Sequence, residues 1–309
     1  MLRDTGIGPE EVLRLSDGID QFERRRAAEF VATAGRRGQR VIAVASRTLD
    51  ASEKFTAYSE QHLGFVGLIA FADTLKKTAK RTIAEARALH IDVKILTGDS
   101  REVAGSVGYA VGLISDPDRV FTGAELESMP YEKRREAVFS GAVFARVSPQ
   151  QKYEIIRILK ERYGVGYLGE GINDAPALKL ADVALVVEGA SDIARESADV
   201  VLLQKSLEAV VDGVREGRVI FANILKYLKI TMTSNFGNFY SVAVASLFLP
   251  FVPLLPVQIL LLNLLSDFPM IAIATDTVDH EELERPKNYP VHSVVFLASL
   301  FGAVSSIFD

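Results

Sequence analysis

Three short stretches between residues 97 and 174 carry side chains suited to a phosphate and a hard cation. In LGEGINDAPAL (168–178), two glycines bracket Glu170, and Asn173 and Asp174 follow at the mouth of a helical pattern. The glycines let the backbone approach closely, and Glu170 with Asp174 can share a cation that wants oxygen ligands. In TGDS (97–100), Thr97 can offer a hydroxyl to a phosphate, and beyond Gly98 the acid of Asp99 can hold a basic group or its own loop. Lys152 lies one turn into a helix opened by Ser148-Pro149, where proline is well placed, and would neutralise phosphate as a point cation. Each stretch also has a plainer reading. Asp99 or Ser100 would cap a helix, Lys152 would be a surface lysine, and GEGIND would be a turn closed by a cap at Asn173. Convergence of the three favours a site.

A second constellation sits further along. Asn235 and Asn238 are three apart in TSNFGN, and Asn263 and Asp267 four apart in NLLSD, so each pair shares a helix face. They lie in or beside residues 230–266, which contain no Asp, Glu, Lys, Arg or His. A carboxylate in lipid is costly, so Asp267 reads as functional; the asparagines could instead join helices. Phe268-Pro269 would break the helix and free carbonyls that could help bind a cation. GVGYLG (164–169) matches a glycine-rich dinucleotide fingerprint, but its glycines lie within and at the end of a strand, outside the strand–turn–helix context that the fingerprint needs.

The elements that must position these groups follow from periodicity. A helix is expected at Gln21–Arg37 and a strand at Arg40–Ala45. Short apolar runs at 67–71, 93–96, 142–147, 165–169, 183–187 and 200–203 alternate with helical patterns such as TLKKTAKRTIAEARALH and SPQQKYEIIRILKER. Such alternation implies parallel pairing in a doubly wound α/β layer. Ligands bind there at the carboxyl ends of the strands, where LTGDS, ARVSP and LGEGIND all fall. The expected organisation is a first region over 1–65, an α/β region over 66–215 and an apolar region over 216–309. LPFVPLLP (249–256) divides the apolar region into two membrane helices, about 228–249 and 256–275, each near the ~20 residues that a bilayer requires. A third helix starts at 291. Arg218, Lys226 and Lys229 flank the first span, which places residues 1–220 on the cytoplasmic side.

Composition narrows the class. The formal net charge of −5 argues against a nucleic-acid partner. The absence of cysteine excludes disulfides, thiolate catalysis and zinc–thiolate sites.

TGDS, ARVSPQQK and GEGINDAPAL, in this order, resemble the phosphorylation-domain signatures of P-type ATPases. TSNFGNFYSVAVASLFLPFVPLLPVQILLLNLLSD is similar to the fifth and sixth membrane helices of the bacterial magnesium-transporting members. The resemblance runs from about Gly35 to Tyr289. It implies a haloacid-dehalogenase-like core followed by transmembrane helices, in a multi-pass protein of the cell (plasma or inner) membrane. It further implies that the first region is the end of a nucleotide-binding domain, with Arg40 contacting ATP. Thr97, Gly98, Asp99 and Lys152 would surround the phosphoryl group, Asn173 would support the loop, and Glu170 with Asp174 would serve a catalytic Mg2+. Asn235, Asn238, Asn263 and Asp267 would line the path of a transported divalent cation, Mg2+ by resemblance. One carboxylate among amides suits an ion that keeps much of its water.

Two departures shape the expectation. The family loop reads Gly-Asp-Gly, whereas this chain has Glu170 between its glycines. The family nucleophile, the aspartate of an Asp-Lys-Thr-Gly-Thr string, is not in this sequence. Asp73 in FADTLK matches a later family motif. By the family's strand order the nucleophile strand lies between VKILTGD and VGYLGEG, so two inner sheet edges are expected to be unpaired. The chain is therefore expected to be a carboxy-terminal portion of an ATP-driven Mg2+ pump, inactive alone. The alternatives are half of a split pump completed by a second chain and a non-catalytic membrane regulator.

Overall fold

A computed structural model describes residues 9–48, 63–72, 75–287 and 289–307. The chain divides into two compact units, Met1–Ala84 with Asp92–Leu207, and Glu85–Ile91 with Glu208–Asp309.

The first unit opens with α1 (Pro9–Leu15), β1 (Ser16–Asp17), α2 (Gln21–Arg36), β2 (Gln39–Ser46) and β3 (Leu63–Ala72). Asp20 caps α2 by accepting the Glu23 N–H at 2.7 Å. β3 pairs antiparallel with β2 and parallel with β1. The run at 67–71 was expected to open the parallel set. Instead it lies in β3 beside the strand RVIAVA, and the boundary expected near residue 65 falls inside that strand. Five-residue apolar runs look alike whichever way they pair, so periodicity could not separate these outcomes. Asp73 lies outside the described residues.

The parallel part follows α3 (Ala79–Ala88), which runs from one unit into the other. It comprises β4 (Ile95–Leu96), α4 (Arg101–Ala110), β5 (Phe121–Thr122), α5 (Gly123–Ser128), α6 (Tyr131–Ser140), β6 (Val143–Ala145) and α7 (Pro149–Leu159). Then come β7 (Gly166–Gly169), α8 (Ala175–Leu180), β8 (Val183–Val187), α9 (Asp192–Glu196) and β9 (Val200–Leu202). The strands form two three-stranded parallel sheets, ordered β4-β6-β5 and β7-β8-β9. Among the described residues, neither β4 nor β7 has a ladder partner on its outer edge. The interruption falls between VKILTGD and VGYLGEG.

The core clusters of the two half-sheets are nonetheless bridged. Phe144, Val138, Ile155 and Ile158 form one cluster; Ile156, Leu178, Ala184 and Val186 form another. Helix α7 feeds both, because Ile155 and Ile158 face one cluster and Ile156 the other. Leu96 and Val165 pack against both. Each fully buried branched side chain contributes about 2 kcal/mol, so α7 is the element that fixes the site's position.

The second unit contains α10 (Leu207–Phe248), α11 (Pro256–Met270), α12 (His280–Glu284) and α13 (Val291–Ser305). The helix expected at 228–249 is the latter part of α10, a continuous helix of 42 residues, about 63 Å long at 1.5 Å per residue. No proline interrupts LEAVVDGVREGRVIFANILKYLK, so the change from charged to apolar sequence is not a break in the backbone. Among the described residues, one segment, Pro256–Thr275, is long and apolar enough to cross a membrane. Its last turn is 3-10 (Ile271–Thr275) beyond Pro269. The apolar part of α10 is diluted by Thr231, Thr233, Ser234, Asn235 and Asn238. Close packing of α10 on α13 depends on small residues: a Cβ on Gly302 would lie 2.7 Å from the Phe236 Cβ.

Candidate functional site

The loops after β4 and β6 interlock through the backbone. Thr97 N–H donates to the Phe144 carbonyl at 2.9 Å, Val147 N–H to Thr97 O at 3.1 Å, and Arg146 N–H to Asp99 O at 2.9 Å. Arg146 takes a positive φ of 48° to make this turn. The Thr97 hydroxyl donates to Asp99 at 2.9 Å, and the Asp99 N–H returns a bond to that hydroxyl at 3.1 Å. The Arg40 guanidinium lies 3.3 Å from the other Asp99 oxygen, although it is largely exposed. Ser100, not Asp99, caps α4, accepting from the Val103 N–H.

Lys152 is placed by a capping box. The Ser148 hydroxyl accepts the Gln151 N–H, and the Gln151 side chain accepts the Ser148 N–H, with Pro149 in the first turn. From there the Lys152 ammonium reaches Asp174 at 2.8 Å. Both side chains are mostly buried, at 16% and 13% exposure. Asp174 is also the loop's internal anchor. Its Oδ1 accepts the Tyr167 hydroxyl at 2.8 Å, and its Oδ2 accepts the Glu170 and Gly171 N–H groups at 3.3 and 3.2 Å. Burial alone would raise the Asp174 pKa. The bonds from Lys152 and Tyr167 more than offset it and hold the carboxylate below its ordinary range. Burial and the neighbouring charge push the Tyr167 phenol upward, so it stays a donor.

The three stretches therefore meet in pairs: TGD with ARV through the backbone, and Lys152 with GEGIND through an ion pair. Asn173 is exposed in a single 3-10 turn (Ile172–Asp174), and it is the Asp174 carboxylate that accepts the Glu170 and Gly171 N–H groups of the loop. Glu170 is exposed; its backbone, not its carboxylate, reaches Asp174. Tyr167 was not singled out in the sequence, where it reads as one more apolar strand position.

Gly169 permits this crowding. A Cβ there would lie 2.8 Å from the Asp174 Cβ and 3.2 Å from the Tyr167 ring, whereas one on Gly98 would meet nothing within 4 Å. Gly169→Ala is accordingly expected to cost about 2 kcal/mol by overpacking, and Gly98→Ala less than about 0.5 kcal/mol. Urea unfolding of the two variants checks the contrast.

Glu170 and Asp174 are hard oxygen donors of the type that Mg2+ takes together with phosphate and water. Among the described residues, no group of three or more His, Cys, Asp or Glu gathers to hold a metal. By donor type alone the two carboxylates would suit a Mg2+ that takes its remaining ligands from phosphate and water, and of the two only Asp174 is held in place by the loop. All four acceptor positions of Asp174 are engaged, so it must release a donor to serve.

In the second unit, the Asn238 amide reaches the Asn263 oxygen at 3.5 Å. Asn235 and Asp267 are exposed. Asp267 lines a cavity of about 670 Å³ with Asn223, Tyr227 and Leu264 among others. Asn223 is buried and donates to the Asp276 carbonyl at 3.0 Å, which leaves its Oδ1 with no partner among the described residues. Of the flanking cations, Lys226 pairs with Asp276 at 2.7 Å, Lys229 lies over the Tyr289 ring at 4.9 Å, and Arg218 donates to the Leu283, Glu284 and Leu89 carbonyls.

Residues 9–182 match the sequence model described as hydrolase: haloacid dehalogenase-like hydrolase. The chain is 44% identical over 94% of its length to magnesium-transporting ATPase, P-type 1, of Escherichia coli K12. It is 41% identical over 88% to a protein of the same name in Salmonella typhimurium LT2. It is 30% identical over 87% to calcium-transporting ATPase 1 of Bacillus cereus. It spans 32%, 30% and 31% of those relatives, about a third of their length.

Proposed function

Because the chain belongs to the haloacid dehalogenase-like hydrolase family, we propose that it is the carboxy-terminal portion of an ATP-driven Mg2+ transporter of the P-type class. The observation that carries this reading is the Lys152–Asp174 ion pair at the carboxyl ends of parallel strands, beside the interlocked TGD loop. Phosphoryl transfer needs positioned charge more than covalent chemistry from the protein. Here Lys152 neutralises phosphate oxygens, and the Thr97 hydroxyl turns its one proton from Asp99 to a phosphate oxygen while still accepting the Asp99 N–H. Asp99 holds Thr97 and Arg40 in place, with Arg40 directed to ATP. Asp174 and Glu170 would hold Mg2+, which would supply positive charge to offset the phosphate, and Asn173 borders their loop. The nucleophilic aspartate comes from an Asp-Lys-Thr-Gly-Thr segment that this sequence does not contain. The chain alone is therefore inactive.

The open edges of β4 and β7 favour one variant of this reading, in which a further stretch of polypeptide, on this protein or on a second chain, pairs between them. The second unit serves the transported ion through Asn235, Asn238, Asn263 and Asp267. It lies in the lipid bilayer of the cell membrane as a multi-pass segment, with residues 1–220 cytoplasmic.

Mg2+ binding to the detergent-solubilised chain tests the transport half. Asp267→Asn is expected to weaken binding about tenfold, near the 1.5 kcal/mol of one hydrogen bond to a charged group. Equal affinity removes Asp267 from the path.

A further inference from the structure

Building on the phosphate-pocket reading above, we propose that Tyr167 is a positioning residue that closes Asp174 to divalent cations until a donor is withdrawn. An ionised carboxylate offers about four acceptor positions. Those of Asp174 are taken by Lys152 and Tyr167 on one oxygen and by two backbone N–H groups on the other. A Mg2+ ion at its usual distance of about 2.1 Å needs one of those positions free, and it repels the ammonium already there.

The two side-chain donors differ in how easily they leave. Lys152 has a flexible four-carbon stem. Tyr167 does not, because its ring is buried in the core cluster with Ile156, Ala177 and Leu178. Gly169 lets the ring edge and Asp174 approach within a space that no Cβ could share. Withdrawal of Lys152 toward a phosphate would free one acceptor position, while Tyr167 keeps the carboxylate aimed. Cation binding at Asp174 is thereby made conditional on phosphate, and Tyr167 sets the threshold. Glu170 adds to it, because its own carboxylate makes no hydrogen bond or ion pair among the described residues and does not compete for the donors.

The test uses the full chain in detergent, with Mn2+ alone as the probe and free Mn2+ counted from its electron paramagnetic resonance signal. Tyr167→Phe keeps the ring and removes the donor. It is expected to bind Mn2+ about tenfold more tightly than the natural chain, the factor that a hydrogen bond to a charged group is worth. Adding Asp174→Asn to that variant is expected to abolish the gain. Affinity equal to or below that of the natural chain overturns the role given to Tyr167, since a purely structural tyrosine would only loosen the loop. A gain that survives Asp174→Asn places the cation elsewhere and overturns the assignment of Asp174 itself. Tyr167→Met, which also lacks the hydroxyl, gives the same readout if the Phe variant does not fold.

Discussion

Asp174→Ala is expected to destabilise the loop between β7 and α8 by about 3 kcal/mol, the cost of leaving one partner of a buried ion pair behind. Lys152, mostly buried, would keep its charge with no counter-ion. The Tyr167 hydroxyl would lose its acceptor, and the Glu170 and Gly171 N–H groups theirs. Amide hydrogen exchange over residues 165–178 reads this locally, and protection should fall on the order of 100-fold. The double variant with Lys152→Met should recover much of the loss, because the stranded charge is then gone. Losses that simply add would show the two side chains to be independent and would remove the pair from the centre of the site.

The same carboxylate makes stability depend on acid. Its folded pKa lies below its unfolded value, so its contribution is present above the unfolded pKa, near 4. It is lost as pH falls through the folded value. The loss should be absent in Asp174→Asn.

The site was legible in the sequence to the extent that it obeys a rule about strand ends. TGDS, ARVSP and GEGIND each follow an apolar run, and parallel sheets gather such ends on one side. Lys152 and Asp174 could therefore be expected at one end of the sheet before any distance was known, although their ion pair could not. Tyr167 could not, because alternation along a strand reports which face is buried and says nothing of where a hydroxyl at the end of a ring will point. The interruption between β4 and β7 was legible only through the family's strand order; the individual runs carry no sign of it. The pairing of the 67–71 run was not legible, since its partner is decided by contacts distant in sequence. In the apolar region, the proline hairpin at 249–256 ended α10 near the expected place. The start of α10 at Leu207 was missed because solvated charges at 208–218 and apolar residues beyond them suit one uninterrupted helix. Asn223 gave no signal either: a single amide among apolar residues does not show whether its oxygen will find a donor.

The purified chain is expected to incorporate no hydroxylamine-labile phosphate from gamma-labelled ATP. Supplying a polypeptide that carries the Asp-Lys-Thr-Gly-Thr strand is expected to restore it. A strand pairing parallel to both β4 and β7 would carry its last residue to the carboxyl edge of the sheet, where Thr97, Lys152 and Asp174 are already held. The open edges supply unpaired N–H and C=O groups on both sides, and the bridge through Leu96 and Val165 sets the spacing between them. In the completed assembly, Lys152→Ala should lower the rate of phosphoenzyme formation about 100- to 1000-fold, as removal of one preorganised charge-stabilising donor does. Arg162→Ala, on the surface beyond α7, should leave it unchanged. Label on the chain by itself would show that an aspartate within these residues is the nucleophile. Restoration that ignores Lys152 would show that the phosphoryl group is held elsewhere. Either outcome would separate the ion pair from the chemistry.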